Sequence, residues 1–135
     1  PSWLAGTVSQ FAARRRVSAQ SDLFARGDPA RFFYLLLSGE LLLYLPDARS
    51  RAERGKSAIR FIATDELLIA SLDERHVADC SATRDSIILC IDRRGLERSA
   101  LLDPVLQRII CRVHANEIEW LLQSRVPNDV TGRHD

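Results

Sequence analysis

Cysteines and histidines are the side chains here best able to hold a metal or attack a substrate, and their spacing favours neither chemistry. Cys80, Cys90 and Cys111 are odd in number, widely separated, and contain no CxxC pair. A disulfide framework needs an even and denser set, so the three thiols are expected to be small buried apolar residues in a reducing compartment. His76, His114 and His134 are far apart, with no two at metal-binding helical spacing. Structural or surface roles outweigh ligation for them, and no metal site is expected. Serine, histidine and aspartate are present, but no nucleophile motif surrounds any of them. The chain is expected not to be an enzyme.

Charge narrows the partners. The formal net charge is +1, apolar residues make up 46% and charged residues 27%. That balance suits an ordinary folded domain and gives no global attraction to nucleic acid or an anionic membrane. Two local features stand out: the run Arg14, Arg15 and Arg16, and the polar stretch DARSRAERGKS at 47–57 with four basic residues. The first reads as a solvated strand edge and the second as a surface loop, with an anionic contact as the alternative for each. No apolar run reaches the roughly 18–20 residues that span a bilayer. The opening PSWLAGTVSQFAARRR lacks the pattern of a secretory signal and begins without Met, as a processed or excised chain would. A cytoplasmic setting is expected.

The elements that would position any site follow from periodicity. Trp3, Leu4, Val8, Phe11 and Ala12 recur at helical spacing, predicting a short helix over 3–13. Extended pieces follow, broken by Gly27-Asp28-Pro29 and by Ser38-Gly39. The apolar runs 32–37 and 41–45 read as a hairpin around Gly39-Glu40. Both faces of these strands are apolar, which implies cover on both sides. The runs 77–82 and 87–91 read as a second hairpin; pairing Ala82 with Ile87 sets Cys80 opposite Leu89 and turns Cys90 to the other face. That geometry disfavours a Cys80–Cys90 disulfide. A final helix starts at the N-cap Asp103 with Pro104 in first position, and is predicted to stop at Pro127-Asn128-Asp129. The chain thus divides into an N-terminal helical segment (1–13), a β-barrel (14–101), a C-terminal helix (102–126) and a polar tail (127–135). The expected fold is mainly β: a sandwich or jelly-roll barrel with flanking helices.

The stretch LFARGDPARFFYLLLSGELLLYL resembles the opening strands of the cyclic-nucleotide-binding domain, found in catabolite-activator-type regulators, kinase regulatory subunits and some channels. ASLDERHVADCSATRDSIILCIDRRGLERSALLDP is similar to that family's phosphate cassette, last strands and hinge into the C-terminal helix. The resemblance covers roughly residues 14 to 125 and implies a double-stranded β-helix acting as a regulatory or sensor module. It also implies a cassette in which a Gly-Glu turn opens a one-turn helix at the cyclic phosphate, and an Arg with a Ser or Thr pairs that phosphate. Counted from Gly39, the Gly-Glu site falls on Asp65-Glu66, and the Arg and Ser positions on His76 and Val77. Only the Glu is kept. In a second register Thr64-Asp65 matches the turn before the cassette, the cassette is shortened, and no Glu is in place. Arg75 lies one position off in both.

Either register leaves a weak anion site. Asp65 adds negative charge, His76 is no bidentate guanidinium, and Val77 lacks a hydroxyl. Two or three lost charge-assisted bonds at about 1.5–3 kcal/mol each would weaken binding by orders of magnitude. Tight binding of cyclic AMP or cyclic GMP is therefore not expected, and no cofactor is. Some relatives sense gases through haem, but nothing around the Cys or His residues marks a haem site. Where relatives meet the purine, this chain offers Leu121 and Leu122, an apolar lid.

The last helix carries a coiled-coil-like seam at Leu106, Ile109, Val113, Asn116 and Trp120, which reads as a homodimer face; the alternative is packing on its own barrel. Only about ten polar residues follow Arg125, so specific DNA binding by this chain is not expected. The resemblance leaves three readings: a degenerate regulatory module, a true small-ligand domain using Glu66, Arg75 and His76, or an effector domain of a longer transcription regulator, transporter or channel.

Overall fold

The computed structural model describes residues 2–4, 6–44, 58–65 and 68–132. Among the described residues, eight antiparallel strands form two four-stranded sheets: β1 (Ala12–Val17), β8 (Ser86–Asp92), β3 (Phe32–Ser38) and β6 (Leu68–Ile69) in one, and β2 (Asp22–Phe24), β7 (Asp79–Ala82), β4 (Glu40–Tyr44) and β5 (Ala58–Ile62) in the other. This is the expected mainly-β, jelly-roll-like architecture. Two α-helices follow, α1 (Arg93–Ala100) and α2 (Pro104–Gly132).

Alternation along β3 explains why the first sheet needs cover on both faces. Tyr34 and Leu36 point into the barrel with Phe24, Leu41, Phe61 and Ile88. Phe33 and Leu35 point outward, where Val8, Leu96, Leu106 and Val113 bury them. The helices are thus fixed to the barrel by the second apolar face of one sheet. The edge strand β1 keeps Arg14, Arg15 and Arg16 exposed, as the basic run predicts.

Neither expected hairpin forms. β3 pairs with β6 and β8, while β4 pairs with β5 and β7. β7 and β8 likewise lie in different sheets, so Cys80 sits across from Leu43 and Phe24, and Leu89 from Leu35 and Arg14. At both turns the chain crosses between sheets instead of folding back. The two corners pack on each other: the Glu40 amide donates to Ser86 Oγ at 3.2 Å and the Thr83 amide to the Glu40 carbonyl at 3.0 Å. Gly39 takes φ 102° at this point, and a Cβ there would lie 2.7 Å from Ser86 Cα.

Three other expectations need correction at the helices. Residues 3–13 form two 3-10 turns, Ser2–Leu4 and Gly6–Phe11, before β1 begins at Ala12. Gly6 at φ 73° interrupts what the periodicity read as one helix. The segment read as a hinge is the helix α1, capped by Asp92, whose carboxylate accepts from the Gly95 amide at 2.8 Å. Helix α2 starts as expected, Asp103 Oδ1 accepting from Val105 N at 2.9 Å, but it runs past Pro127 to Gly132. Proline removes one ladder bond and crowds the carbonyl four residues earlier, which can kink a helix without ending it.

Replacing Gly39 by alanine adds backbone strain at positive φ and forces a Cβ onto Ser86. The expected cost is about 2–4 kcal/mol in urea unfolding; a loss below about 1 kcal/mol would show that the two corners separate freely.

The loop between β6 and β7 and the cleft beneath α2

Residues 70–78 join β6 to β7, and three sets of bonds hold them. Backbone pairing ties the loop to the 27–30 turn: His76 N to Asp28 O, Gly27 N to His76 O, and Ala30 N to Glu74 O, each 2.8 Å. From α1, the Arg93 guanidinium donates to the carbonyls of Asp73 (2.8 Å), Leu72 (3.0 Å) and Ala30 (3.3 Å), and pairs with Glu97 at 3.2 Å. From α2, Glu117 accepts the Leu72 amide N–H on Oε1. Leu72 is therefore gripped at its carbonyl by one helix and at its amide by the other.

Glu117 is the unexpected residue. It is only 6% exposed, on the side of α2 that faces the barrel. Burial pushes its carboxyl upward in pKa, while its bonds to the Leu72 amide and the Ser71 hydroxyl pull it down; Asp73 adds to the rise and Arg93 opposes it. Ser71 is itself buried, and its single hydroxyl proton also has the Arg75 carbonyl within 3.2 Å.

His76 is a core residue. It is 3% exposed and stacks on Phe24 with ring centroids 3.6 Å apart and planes 11° from parallel. Phe24 continues the stack to Tyr34 at 5.5 Å. Burial lowers the His76 pKa to about 4 against a weaker raising effect of Asp28, with Arg93 lowering it further. The ring is therefore neutral at pH 7, and its Nε2 is buried with no hydrogen-bond partner among the described residues. The same burial raises the Tyr34 hydroxyl to about 12.

Of the expected site residues, His76 and Val77 line one cleft and Arg75 turns away from it. Arg75 is exposed, and its Nη1 donates to the Gly27 carbonyl at 2.8 Å, so the guanidinium serves the turn beside it. Val77 is half-buried and lines a cleft with Phe24, Leu43, Ser71, His76, Glu117 and Trp120. That cleft has a volume of about 20 Å³, near the size of one water and far below the roughly 300 Å³ at which small-molecule pockets begin. Asp65 closes a 3-10 turn, Ala63–Asp65, after β5; Glu66 lies outside the described residues, as does the 47–57 stretch. Leu121 lines the cleft as a lid residue would, whereas Leu122 is 59% exposed.

The seam assigned to a second copy is taken by the barrel. Leu106 and Val113 are buried in the chain's own core, Ile109 packs beside them, and Trp120 meets Phe61 edge-on at 5.4 Å. Asn116 is half-buried. The face left open carries Cys111, Ala115, Ile118 and Leu122, again spaced four, three and four. Cys80 and Cys90 are buried as expected, but Cys111 is exposed, because its phase on α2 turns it from the barrel. Among the described residues no helix is long and apolar enough to cross a membrane, and no cluster of three metal-ligating side chains occurs.

The cyclic nucleotide-binding domain family matches residues 14–100, most of the chain and all of the barrel except the first two residues of β1. This chain belongs to that family. Solved structures agree on the fold at low identity. A variant of CooA from Carboxydothermus hydrogenoformans superposes with a TM-score of 0.65 at 18% identity, covering 95% of this chain and 82% of that one. A putative cyclic nucleotide-binding protein from Geobacter metallireducens gives 0.61 at 13%, with coverage of 85% and 82%. The catabolite activator protein of Thermus thermophilus gives 0.60 at 17%, covering 91% of this chain and 56% of its own. No curated protein matches by sequence.

The family's sequence pattern could not have exposed Glu117, Ser71 or Arg93 as site residues. Glu117 did leave a signal: it stands four residues after Val113 and three before Trp120, a carboxylate inside an apolar stripe.

The His76 environment makes stability depend on pH with a definite sign. Unfolded, the ring takes a proton near pH 6.5; folded, only near 4. The unfolded state binds more protons in between, so this contribution is complete above pH 6.5 and is lost as pH falls toward 4. A His76→Phe variant is expected to show a flatter stability profile than the native chain across that window, measured by urea unfolding. Equal slopes would place the buried charge penalty elsewhere.

Proposed function

We propose that this domain is a non-catalytic regulatory module whose pocket does not hold cyclic AMP or cyclic GMP tightly, and that it acts through self-association and contacts with other domains. One observation carries the reading: the cleft between the barrel and α2 is filled by His76, Trp120 and Glu117, while the neighbouring guanidinium of Arg75 is spent on the Gly27 carbonyl. A phosphodiester placed there would meet a neutral ring and a carboxylate. In this reading residues 14–101 are the sensor barrel and 102–126 the relay helix. Output, such as DNA recognition, belongs to other parts of a longer parent, and the setting is cytoplasmic.

The proposed self-association uses α2 with a corrected face. Cys111, Ala115, Ile118 and Leu122 form an exposed stripe at coiled-coil spacing, with Ile118 48% exposed. A second copy about a two-fold axis would cover it. A second reading, a working small-ligand domain, is favoured by the buried, unpartnered Nε2 of His76, which lines the cleft.

Thermal melting separates the two. Millimolar cyclic AMP or cyclic GMP is expected to leave the midpoint unmoved; a rise of several degrees that grows with concentration would establish a binding domain, since ligand linkage stabilises the bound fold. For the dimer, mild thiol oxidation is expected to cross-link the native chain through Cys111, and Ile118→Asp is expected to abolish both the cross-link and the dimer mass in light scattering. A monomer at high micromolar concentration would end the dimer proposal.

A further inference from the structure

We propose that Leu72 and Ser71 form an anion seat that the protein occupies with its own Glu117, so that α2 is held to the barrel by an internal ligand. The proposal rests on the reading of this cleft as the domain's altered ligand pocket, and it names what fills it.

Geometry comes first. The Leu72 amide N–H donates to the Glu117 carboxylate, and the side chain of the adjacent Ser71 acts on the same carboxyl while its hydroxyl has the Arg75 carbonyl within 3.2 Å. An amide N–H beside a hydroxyl can hold a carboxylate or phosphate through charge-assisted bonds. The loop is braced for it: Arg93 holds the carbonyls of Leu72 and Asp73 from the opposite side and brings a positive charge near the seat. Little in the loop must rearrange to accept an anion.

Cost is the second argument. A carboxylate at 6% exposure loses most of its hydration, which helix packing alone would not justify. Leucine would pack between Val113 and Trp120 without that penalty. What a carboxylate adds is a partner for the loop's donors, and with it a specific link between α2 and residues 70–78. The charged groups acting on Glu117 are Asp73, which disfavours its charge, and Arg93, which favours it. His76 stays neutral beside them.

Occupancy of the seat by Glu117 and by a soluble anion are mutually exclusive. A small carboxylate or phosphate can enter only when the Glu117 carboxylate leaves, and α2 then loses its bond to the Leu72 amide. The seat is thus a point where anion binding and helix docking compete.

Chemical complementation tests this in the full chain. Glu117→Ala is expected to melt lower than the native protein, and sodium formate at about 100 mM is expected to raise its midpoint by roughly 2–5 °C over a sodium chloride control. The native chain, its seat already filled, is expected to show no such excess. No formate-specific rescue of the variant, or equal responses in both proteins, would overturn the proposal. Should Glu117→Ala not fold, Glu117→Asp keeps the charge on an arm one methylene shorter. Its Leu72 amide resonance is then expected to leave the native position and return with formate; an amide shift identical to the native one would count against the seat. Binding of cyclic nucleotide by the native chain would instead overturn the pocket reading, so the two failures are told apart.

Discussion

The peptide groups on either side of Leu72 connect everything that surrounds the cleft. Arg93 takes the carbonyl and Glu117 the amide, so α1 and α2 converge on one residue of the β6–β7 loop. Neither helix could do this from the surface. They reach the loop because Phe33 and Leu35 give the first sheet an outward apolar face, and Leu96, Leu106 and Val113 bury it. Hydrophobic area brings the helices to the sheet; two charge-assisted contacts then choose where they stop.

In a family defined by binding a cyclic nucleotide, the space between barrel and final helix is the natural place for a ligand. Among the described residues, His76, Glu117 and Trp120 line a cleft of about 20 Å³ at that place. His76 extends the aromatic stack of Phe24 and Tyr34, so it belongs to the core; its lost proton affinity comes from the same burial that raises the Tyr34 hydroxyl. Glu117 adds a buried carboxylate that accepts the Leu72 amide.

Much of the fold was legible in the residues. The turn signals, the apolar strands and the Asp103-Pro104 helix start all lie where the spacing put them, and the double-faced run 32–37 correctly demanded cover on both sides, whereas β4 buries Leu41 and Leu43 and leaves Leu42 and Tyr44 only half-buried. Connectivity was not legible. A glycine between two apolar runs marks where a strand ends, but not whether the next strand folds back or crosses to the other sheet. Gly39 is required by its contact with Ser86, forty-seven positions away, and no local pattern carries that. The seam on α2 failed for a related reason: heptad spacing identifies a face that must be covered, not what covers it. The barrel took Leu106, Val113 and Trp120, and the exposed stripe lies on another side of the same helix. Within the site, family register pointed to positions, and the structure returned roles that differ: Arg75 braces a turn, His76 packs, and the decisive carboxylate sits outside the cassette altogether.

Amide hydrogen exchange at Leu72 tests the central claim most directly. If Glu117 anchors α2 to the loop, that amide should exchange slowly, with protection close to that of the Val113 turn of α2, because both open only when the helix lifts. Exchange at the unprotected rate of a surface loop, while α2 stays protected, would contradict the account.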